Sequence, residues 1–255
     1  MKNIMKIAVL ALALVMAVAC FAGCGKEENQ GEKVYKIASD NAFPPFEYLD
    51  ADTNTYVGVD MDIMAAIAED QGFKYEMVNV GFDAALGQVQ AGQADGVIAG
   101  MTIKPEREEI FDFSEGYFID GQIMVVAADS DIDSMDDLKG KVVATKAGTM
   151  GLEYAEANKD KYGYTTTMFE GSVEMYQAVA QGSCVACFED RAVIGEAIKN
   201  GDVNLKTVGD VINPAPYGFA VKKGQNPELI EMFNKGLANI KANGKYDEIL
   251  AKYGM

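Results

Sequence analysis

The chain has 255 residues and no histidine, and its 39 acidic residues against 22 basic ones give a formal net charge of −17 at neutral pH. The lack of histidine excludes Ser-His-Asp and Cys-His hydrolysis and histidine-based metal sites, and no metal or other cofactor is expected. The strong negative charge argues against nucleic acid and against an anionic membrane surface as partners.

The first two dozen residues have the pattern of a secretory signal peptide. Two lysines precede the apolar run IAVLALALVMAVA, which is too short to span a bilayer comfortably. The pair Ala22-Gly23 before Cys24 resembles a lipoprotein signal, in which Cys24 is acylated and becomes the first mature residue; an ordinary cleaved signal is the alternative. We therefore expect residues 1–23 to be removed and the polar residues 24–33 to tether the folded part to the membrane, outside the cytoplasm.

Strands and helices alternate along the rest of the chain. The hydrophobic patterns predict strands at 34–39, 75–80, 95–100, 122–127, 141–146, 165–169, 184–188, 204–209 and 219–224. They predict helices at 60–72, 83–92, from Pro105 onward, at 134–140, 151–163, 172–182 and 191–201, and two more over 227–253. This alternation predicts an α/β protein with mostly parallel sheets.

Two helix–strand units have the same spacing. In each, the strand ends eight residues after the glycine that ends the helix: at Gly100 after Gly92, and at Asp190 after Gly182. Open α/β sheets bind ligands beyond the carboxyl ends of their strands, so we expect the Gly100–Thr102 loop and the Glu189-Asp190 pair to meet at one cleft. A chance similarity of two generic units is the alternative.

Arg107 is a single guanidinium in an acidic segment, just beyond that loop. A guanidinium matches a carboxylate with two parallel hydrogen bonds, which the Thr102 hydroxyl and the loop N–H groups could complete. Across the cleft, Asp190 could bind an ammonium group, and the two charges together would fit an amino-acid zwitterion. From spacing alone, Arg107 could equally form a surface salt bridge with neighbouring glutamates, and Asp190 could cap the helix that follows it.

Four separated stretches together resemble the extracytoplasmic amino-acid-binding proteins of ABC importers, most closely the glutamine-binding branch. They are SDNAFPPFEY with YVGVDMDIMAAIA, IAGMTIKPEREEIFDFSEGYF, GKVVATKAGT and NGKYDEILAKYG. The resemblance implies a two-lobed periplasmic-binding-protein fold of type II, with a ligand cleft between lobes that are joined by crossing strands near 117–121 and 213–217. Residues 34–119 and 216–255 would form lobe 1, and residues 120–215 lobe 2.

The resemblance also implies the ligand contacts. They are Asp40, Phe43, Phe82, Ala99, Gly100, Thr102, Arg107, Lys146, Thr149, Met150, Glu189 and Asp190. Phe43 and Phe82 would flank the aliphatic part of the ligand side chain, while Asp40 accepts and Lys146 donates a hydrogen bond, as a carboxamide requires. The sequence departs from the glutamine binders at Met150, where they have glycine, and at Glu189, where they have histidine.

These features predict a monomeric binding protein, not an enzyme, that delivers an amino acid to an ABC permease by hinge closure. L-Glutamine is the expected ligand, and a basic amino acid is the alternative because Glu189 adds a carboxylate to the cleft. A cyclic-acid dehydratase that uses Glu189 as a general acid is the alternative from another class. Cys184 and Cys187, in the apolar run CVAC, are expected to be buried thiols that share neither a disulfide nor a metal.

Overall fold

The computed structural model describes residues 33–255. The predicted signal peptide, the predicted lipidation site at Cys24 and nearly all of the predicted tether lie outside the described residues. Within the described part of the chain, no helix combines the length and the hydrophobicity that crossing a membrane would require.

The first five-stranded sheet is built from both ends of the described chain. Its strand order is β5-β1-β6-β13-β7, and its strands are β1 (Val34–Ser39), β5 (Lys74–Asn79), β6 (Gly96–Val97), β7 (Phe111–Phe113) and β13 (Ala220–Lys222). Strand β1 pairs in parallel with β5 and β6, whereas β13 pairs antiparallel with β6 and β7. The helices of this part are α1 (Val59–Gln71), α2 (Phe82–Gln90), α3 (Pro105–Glu108), α7 (Pro227–Ala242) and α8 (Lys245–Lys252).

The second five-stranded sheet comes from the middle of the chain. Its order is β10-β9-β11-β8-β12, and its strands are β8 (Phe118–Ala127), β9 (Val142–Lys146), β10 (Thr165–Phe169), β11 (Ala186–Asp190) and β12 (Leu205–Tyr217). Here β9 pairs in parallel with β10 and β11, and β8 pairs antiparallel with β11 and β12. Helices α4 (Met150–Tyr162), α5 (Ser172–Ala180) and α6 (Arg191–Asn200) and a 3-10 turn at Met135–Leu138 accompany it.

Both sheets are buried on two faces, as the alternation of strands with helices predicts. Successive residues of β1, Ile37 and Ala38, lie in different apolar clusters, one with α1 and α7 and the other with α2. In the second sheet, Val125 and Val126 likewise lie in clusters on opposite faces. Each sheet is therefore covered on both faces, which is the layered α/β arrangement that the sequence predicts.

Four of the five strands in each sheet run in the same direction, which confirms the prediction of mostly parallel sheets; β13 in the first sheet and β8 in the second run the opposite way. The antiparallel pairs arise where the chain passes between the sheets: Phe118 at the start of β8 pairs with Tyr217 at the end of β12. The Tyr117 N–H also donates to the Tyr217 carbonyl oxygen at 2.9 Å. The sheets divide the chain near the predicted lobe boundaries at 119/120 and 215/216, which remain a prediction.

Several short strands have no counterpart in the prediction. A three-stranded sheet is formed by β2 (Ala42–Phe43), β3 (Glu47–Asp50) and β4 (Thr55–Val57), and β7 was also not predicted. Strand β12 continues to Tyr217, past the predicted end at residue 209, although it contains Pro214 and Pro216. It is an edge strand, where proline is tolerated because one side of the backbone needs no partner.

The two cysteines lie in the core of the second sheet as free, buried thiols. Cys187 is in β11, but Cys184 precedes that strand by two residues, so the predicted strand began too early. Burial raises the pKa of both thiols above the ordinary value.

Candidate functional site

One pocket lies at the carboxyl ends of strands from both five-stranded sheets. Its lining contains all twelve residues that the resemblance implies as ligand contacts, together with Gly151. Asp40 follows β1, Lys146 ends β9, and Glu189 and Asp190 end β11. The ends of these strands, one from the first sheet and two from the second, meet at the pocket and bring together residues that are far apart in sequence.

Arg107 is buried in this pocket, with 7% of its surface exposed. Its Nη1 donates to the Thr102 carbonyl oxygen at 2.9 Å and its Nη2 to the Gly148 carbonyl oxygen at 3.1 Å. Its guanidinium carbon lies 5.4 Å from the centre of the Phe82 ring. Burial lowers the pKa of Arg107, an effect that the charges of Glu153 and Asp190 oppose. Among residues 33–255, no carboxylate lies within 4.0 Å of the guanidinium, so the surface salt bridge to a neighbouring glutamate is not formed.

The loop beside Arg107 differs from the prediction in one respect. The Gly100 N–H donates to Asp60 Oδ2 at 2.8 Å, so Gly100 can offer a ligand its carbonyl oxygen but not its N–H. Gly100 has a φ of +52°, and a Cβ there would come within 2.6 Å of the Phe43 ring. Glycine is therefore required both for the backbone conformation and for the close approach of the ring.

Asp190 is held by two hydrogen bonds on the opposite side of the pocket. Gln122 Nε2 donates to its Oδ1 and the Tyr217 hydroxyl to its Oδ2, both at 2.6 Å. Burial raises the pKa of Asp190, while these two hydrogen bonds act against the rise. Its side chain does not cap α6; Asp120 Oδ2 accepts from the Ala192 N–H of that helix at 2.7 Å instead.

Glu189 also lines the pocket, but its carboxylate is bound to groups around it. It accepts from the Tyr176 hydroxyl at 2.8 Å, the Ser172 hydroxyl at 3.2 Å and the Asp190 N–H at 2.9 Å. Burial, and then the charge of Asp190, raise the pKa of Glu189 to about 7. At neutral pH the side chain is therefore partly protonated.

Asp40 and Lys146 form a buried ion pair that joins the two sheets across the pocket. Lys146 Nζ lies 2.5 Å from Asp40 Oδ2, and each side chain is only 3% exposed. The ammonium also lies 4.9 Å from the centre of the Phe43 ring. Together the two side chains carry no net charge and line this side of the pocket with both a hydrogen-bond donor and an acceptor.

The N-terminus of α4 closes the pocket from the second sheet. Thr149 caps the helix by accepting from the Leu152 N–H at 3.3 Å, and Met150 is the first helical residue. A Cβ at Gly151 would lie 2.4 Å from the Phe188 carbonyl oxygen, so glycine lets the helix approach β11 closely. The positive end of the helix dipole at this position favours a negatively charged ligand group.

The structure adds residues to the site that the sequence reasoning missed, namely Gln122, Tyr217, Asp120 and Asp60. Gln122 lies on β8 and Tyr217 on β12, both near the strands that were predicted to cross between the lobes. That closeness to the predicted crossings was the sequence feature that could have pointed to them. Their bonds to Asp190 span 68 and 27 residues, and no local pattern shows such contacts. Within the described residues, no group of three acidic or cysteine side chains could hold a metal ion.

The chain is similar to bacterial solute-binding proteins over nearly its whole length. It is 32% identical to a probable histidine-binding protein of Neisseria gonorrhoeae, over 96% of this chain and 94% of that protein. Three Bacillus subtilis proteins, described as binding arginine, glutamine and cystine, are 27–31% identical over 95–98% of this chain and 96–97% of each relative.

Two solved structures help to define the arrangement of the lobes. The second substrate-binding domain of Lactococcus lactis GlnP, in an open conformation, is 45% identical and has a TM-score of 0.59, covering 88% of this chain and 96% of that one. An ancestral arginine-binding protein bound to glutamine is 36% identical and has a TM-score of 0.80, covering 87% and 97%. The glutamine-bound structure has the higher TM-score despite its lower identity, so the arrangement of this chain is more similar to that structure than to the open one.

The model of the bacterial extracellular solute-binding proteins, family 3, matches residues 35–255, which include every residue of the pocket. The chain therefore belongs to the bacterial extracellular solute-binding proteins of family 3.

Proposed function

We propose that this protein binds a neutral polar amino acid, with L-glutamine as the best fit, and delivers it to the permease of an ABC importer. The observation that carries the proposal is the buried guanidinium of Arg107, which lacks a carboxylate partner within the described chain and shares a pocket with Asp190. A buried cation costs several kcal/mol unless it is paired, and the α-carboxylate of a bound amino acid would pair it. The α-ammonium group would bind Asp190 and the Gly100 carbonyl oxygen.

The Asp40–Lys146 pair supports a neutral side chain on the ligand. Insertion of a carboxamide between the two would give Asp40 an N–H donor and Lys146 a carbonyl acceptor, so that neither charge would be left unpaired. A glutamate side chain would be repelled by Asp40, and a lysine or arginine side chain by Lys146. The rings of Phe43 and Phe82 would cover the aliphatic part of the ligand.

A basic amino acid is the second candidate, because Glu189 lines the pocket and could offset Lys146. Three hydrogen bonds already stabilise the Glu189 carboxylate, however, and at neutral pH its raised pKa leaves it only partly charged. We therefore favour the neutral ligand. We propose no catalysed reaction. Glu189 is the residue that the sequence suggested as a general acid, and its carboxylate oxygens already accept those three hydrogen bonds.

Closure of the two lobes would bury the amino acid. Hydrogen bonds and ion pairs link the two sheet regions around the pocket: the Asp40–Lys146 pair, the bond from Arg107 to the Gly148 carbonyl, and an ion pair between Lys104 and Glu153. A ligand that contacts both lobes only when they are closed binds that state more tightly and so shifts the equilibrium toward it. The permease would recognise the closed form, presented by a monomer that a lipid on Cys24 tethers to the outer side of the membrane.

Calorimetric titration of the purified protein with glutamine, glutamate, arginine, lysine and histidine at pH 7 tests the proposal. We expect glutamine to bind most tightly, and glutamate and lysine to bind at least about a hundredfold more weakly, the equivalent of about 2.8 kcal/mol. Tightest binding of arginine, lysine or histidine would establish the second candidate, and binding of none of the five would contradict amino-acid recognition in this pocket. Labelling with a radioactive fatty acid, compared with a Cys24→Ala variant, tests the proposed anchor.

A further inference from the structure

Two acidic side chains, Glu47 and Asp60, are buried together outside the pocket. Glu47 begins β3 and Asp60 lies in the first turn of α1, and both residues are 0% exposed. The Asp60 N–H donates to the Phe46 carbonyl oxygen at 2.9 Å, so the residue before Glu47 is attached to the start of the helix. This backbone contact places the two acidic residues side by side in the core, and the charge of Asp60 contributes to raising the pKa of Glu47.

Hydrogen bonds reach only one of the four oxygen atoms of this pair. Asp60 Oδ2 accepts from the Gly100 N–H and from the Tyr117 hydroxyl, both at 2.8 Å. Over residues 33–255, no group donates to Asp60 Oδ1 or to either carboxyl oxygen of Glu47. Two ionised carboxylates would therefore leave three buried acceptors unpaired beside a like charge, which is strongly unfavourable. A single proton held between the two carboxyl groups supplies the missing donor.

Glu47 is the member of the pair that holds the proton. Asp60 already accepts two hydrogen bonds, which favour its ionised form, whereas Glu47 accepts none. Burial, and then the charges of Asp60 and Asp40, raise the pKa of Glu47 well above its ordinary value, and Lys146 opposes this effect. Burial raises the pKa of Asp60 to about 6. The other titratable groups near Asp60 are the hydroxyls of Tyr117 and Tyr246, which remain protonated at neutral pH because their pKa values are raised.

We propose that Glu47 and Asp60 share one proton and act as positioning residues for the amino-acid pocket. Glu47 donates to Asp60 Oδ1, and Asp60 Oδ2 fixes the Gly100 N–H, which leaves the Gly100 carbonyl oxygen to the ligand ammonium. Through Tyr117, which directly precedes β8, the same carboxylate connects the pocket loop to one of the two strands that pass between the sheets. The proposal rests on amino-acid binding in the pocket, but it does not depend on which amino acid is bound.

Three variants separate the positioning role from general stability. Asp60→Leu removes the acceptor for the Gly100 N–H. Asp60→Asn keeps an acceptor of the same shape without charge and so imitates protonated Asp60, and Glu47→Gln keeps a donor that cannot titrate. Affinities are measured by calorimetry at pH 7 and pH 5, using the amino acid that binds the wild type most tightly. The number of protons released on unfolding at pH 7 is obtained from the pH dependence of the free energy of unfolding.

At pH 7 we expect the leucine variant to lose at least about tenfold in affinity, the equivalent of about 1.4 kcal/mol. The asparagine variant should lose about threefold at pH 7 and bind like the wild type at pH 5, where Asp60 of the wild type is protonated. Glu47→Gln should keep its affinity and release one proton fewer than the wild type on unfolding. A folded Asp60→Leu variant that binds like the wild type would overturn the proposal. So would an affinity of Asp60→Asn that bears the same ratio to the wild-type affinity at pH 7 and at pH 5. Equal proton release from the wild type and Glu47→Gln would also overturn it. If Asp60→Leu does not fold, the proposal is tested by the affinity ratio of Asp60→Asn to the wild type and by the number of protons that Glu47→Gln releases on unfolding.

Discussion

Replacing Arg107 by alanine should abolish tight amino-acid binding while leaving the fold intact. The guanidinium would make two charge-assisted hydrogen bonds to the ligand carboxylate, worth about 1.5–3 kcal/mol each, so their loss amounts to about 3–6 kcal/mol. The affinity should therefore fall by a factor of about 10² to 10⁴. Without ligand the guanidinium is a buried cation whose pKa burial lowers, so its removal should change the free energy of unfolding little.

Calorimetry on folded variants measures this effect, with circular dichroism and urea unfolding as controls for the fold. Lys223→Ala removes a cation from an exposed pair with Asp112 and should keep wild-type affinity. Arg107→Lys keeps the charge but loses the planar fork, so its affinity should lie between those of the alanine variant and the wild type. Wild-type affinity in a folded Arg107→Ala variant would refute the assignment of the ligand carboxylate to this residue.

Three further predictions concern other parts of the pocket. Asp40→Asn leaves Lys146 as an unpaired buried cation and should lower the free energy of unfolding by about 3–5 kcal/mol in urea titrations; a change below about 1 kcal/mol would contradict a buried ion pair. In Gly100→Ala the alanine would have to adopt a positive φ and displace the Phe43 ring. The free energy of unfolding in urea should therefore fall by about 1–3 kcal/mol, and an unchanged value would argue against this backbone conformation. The pKa of Glu189 is raised, so the folded state binds its proton more tightly than the unfolded state. The free energy of unfolding should therefore fall as the pH rises from about 4.5 to 7. Over this range the wild type should lose up to about 3 kcal/mol relative to Glu189→Gln. If the free energies of unfolding of the two proteins changed in parallel with pH, the burial of this carboxyl group would be contradicted.

The sequence predicted the features that local patterns and charge determine. Helices α1, α4 and α6 end as expected at glycines in the left-handed conformation, namely Gly72, Gly163 and Gly201. Arg107 could be singled out because it is a lone guanidinium beside small residues in an acidic segment. Its burial was not predictable from spacing, since a surface salt bridge had the same local signature.

Features that depend on distant partners could not be predicted. Strands β2 to β4 have two to four residues, too few to show an alternating pattern. In the sequence, Asp60 is an acidic residue at the start of a helix. Such residues are usually exposed to solvent and stabilise the positive end of the helix dipole. Its bond to Gly100 joins residues 40 positions apart, and only the tertiary structure brings them together.

A crystal structure of the protein grown with L-glutamine tests the central claim most directly. We expect the α-carboxylate of the ligand within about 3 Å of the Arg107 guanidinium nitrogens and the α-ammonium within about 3 Å of an Asp190 carboxyl oxygen, the usual hydrogen-bond distances. A ligand whose carboxylate is bound elsewhere, with the guanidinium turned toward Glu153 or the solvent, would contradict the claim.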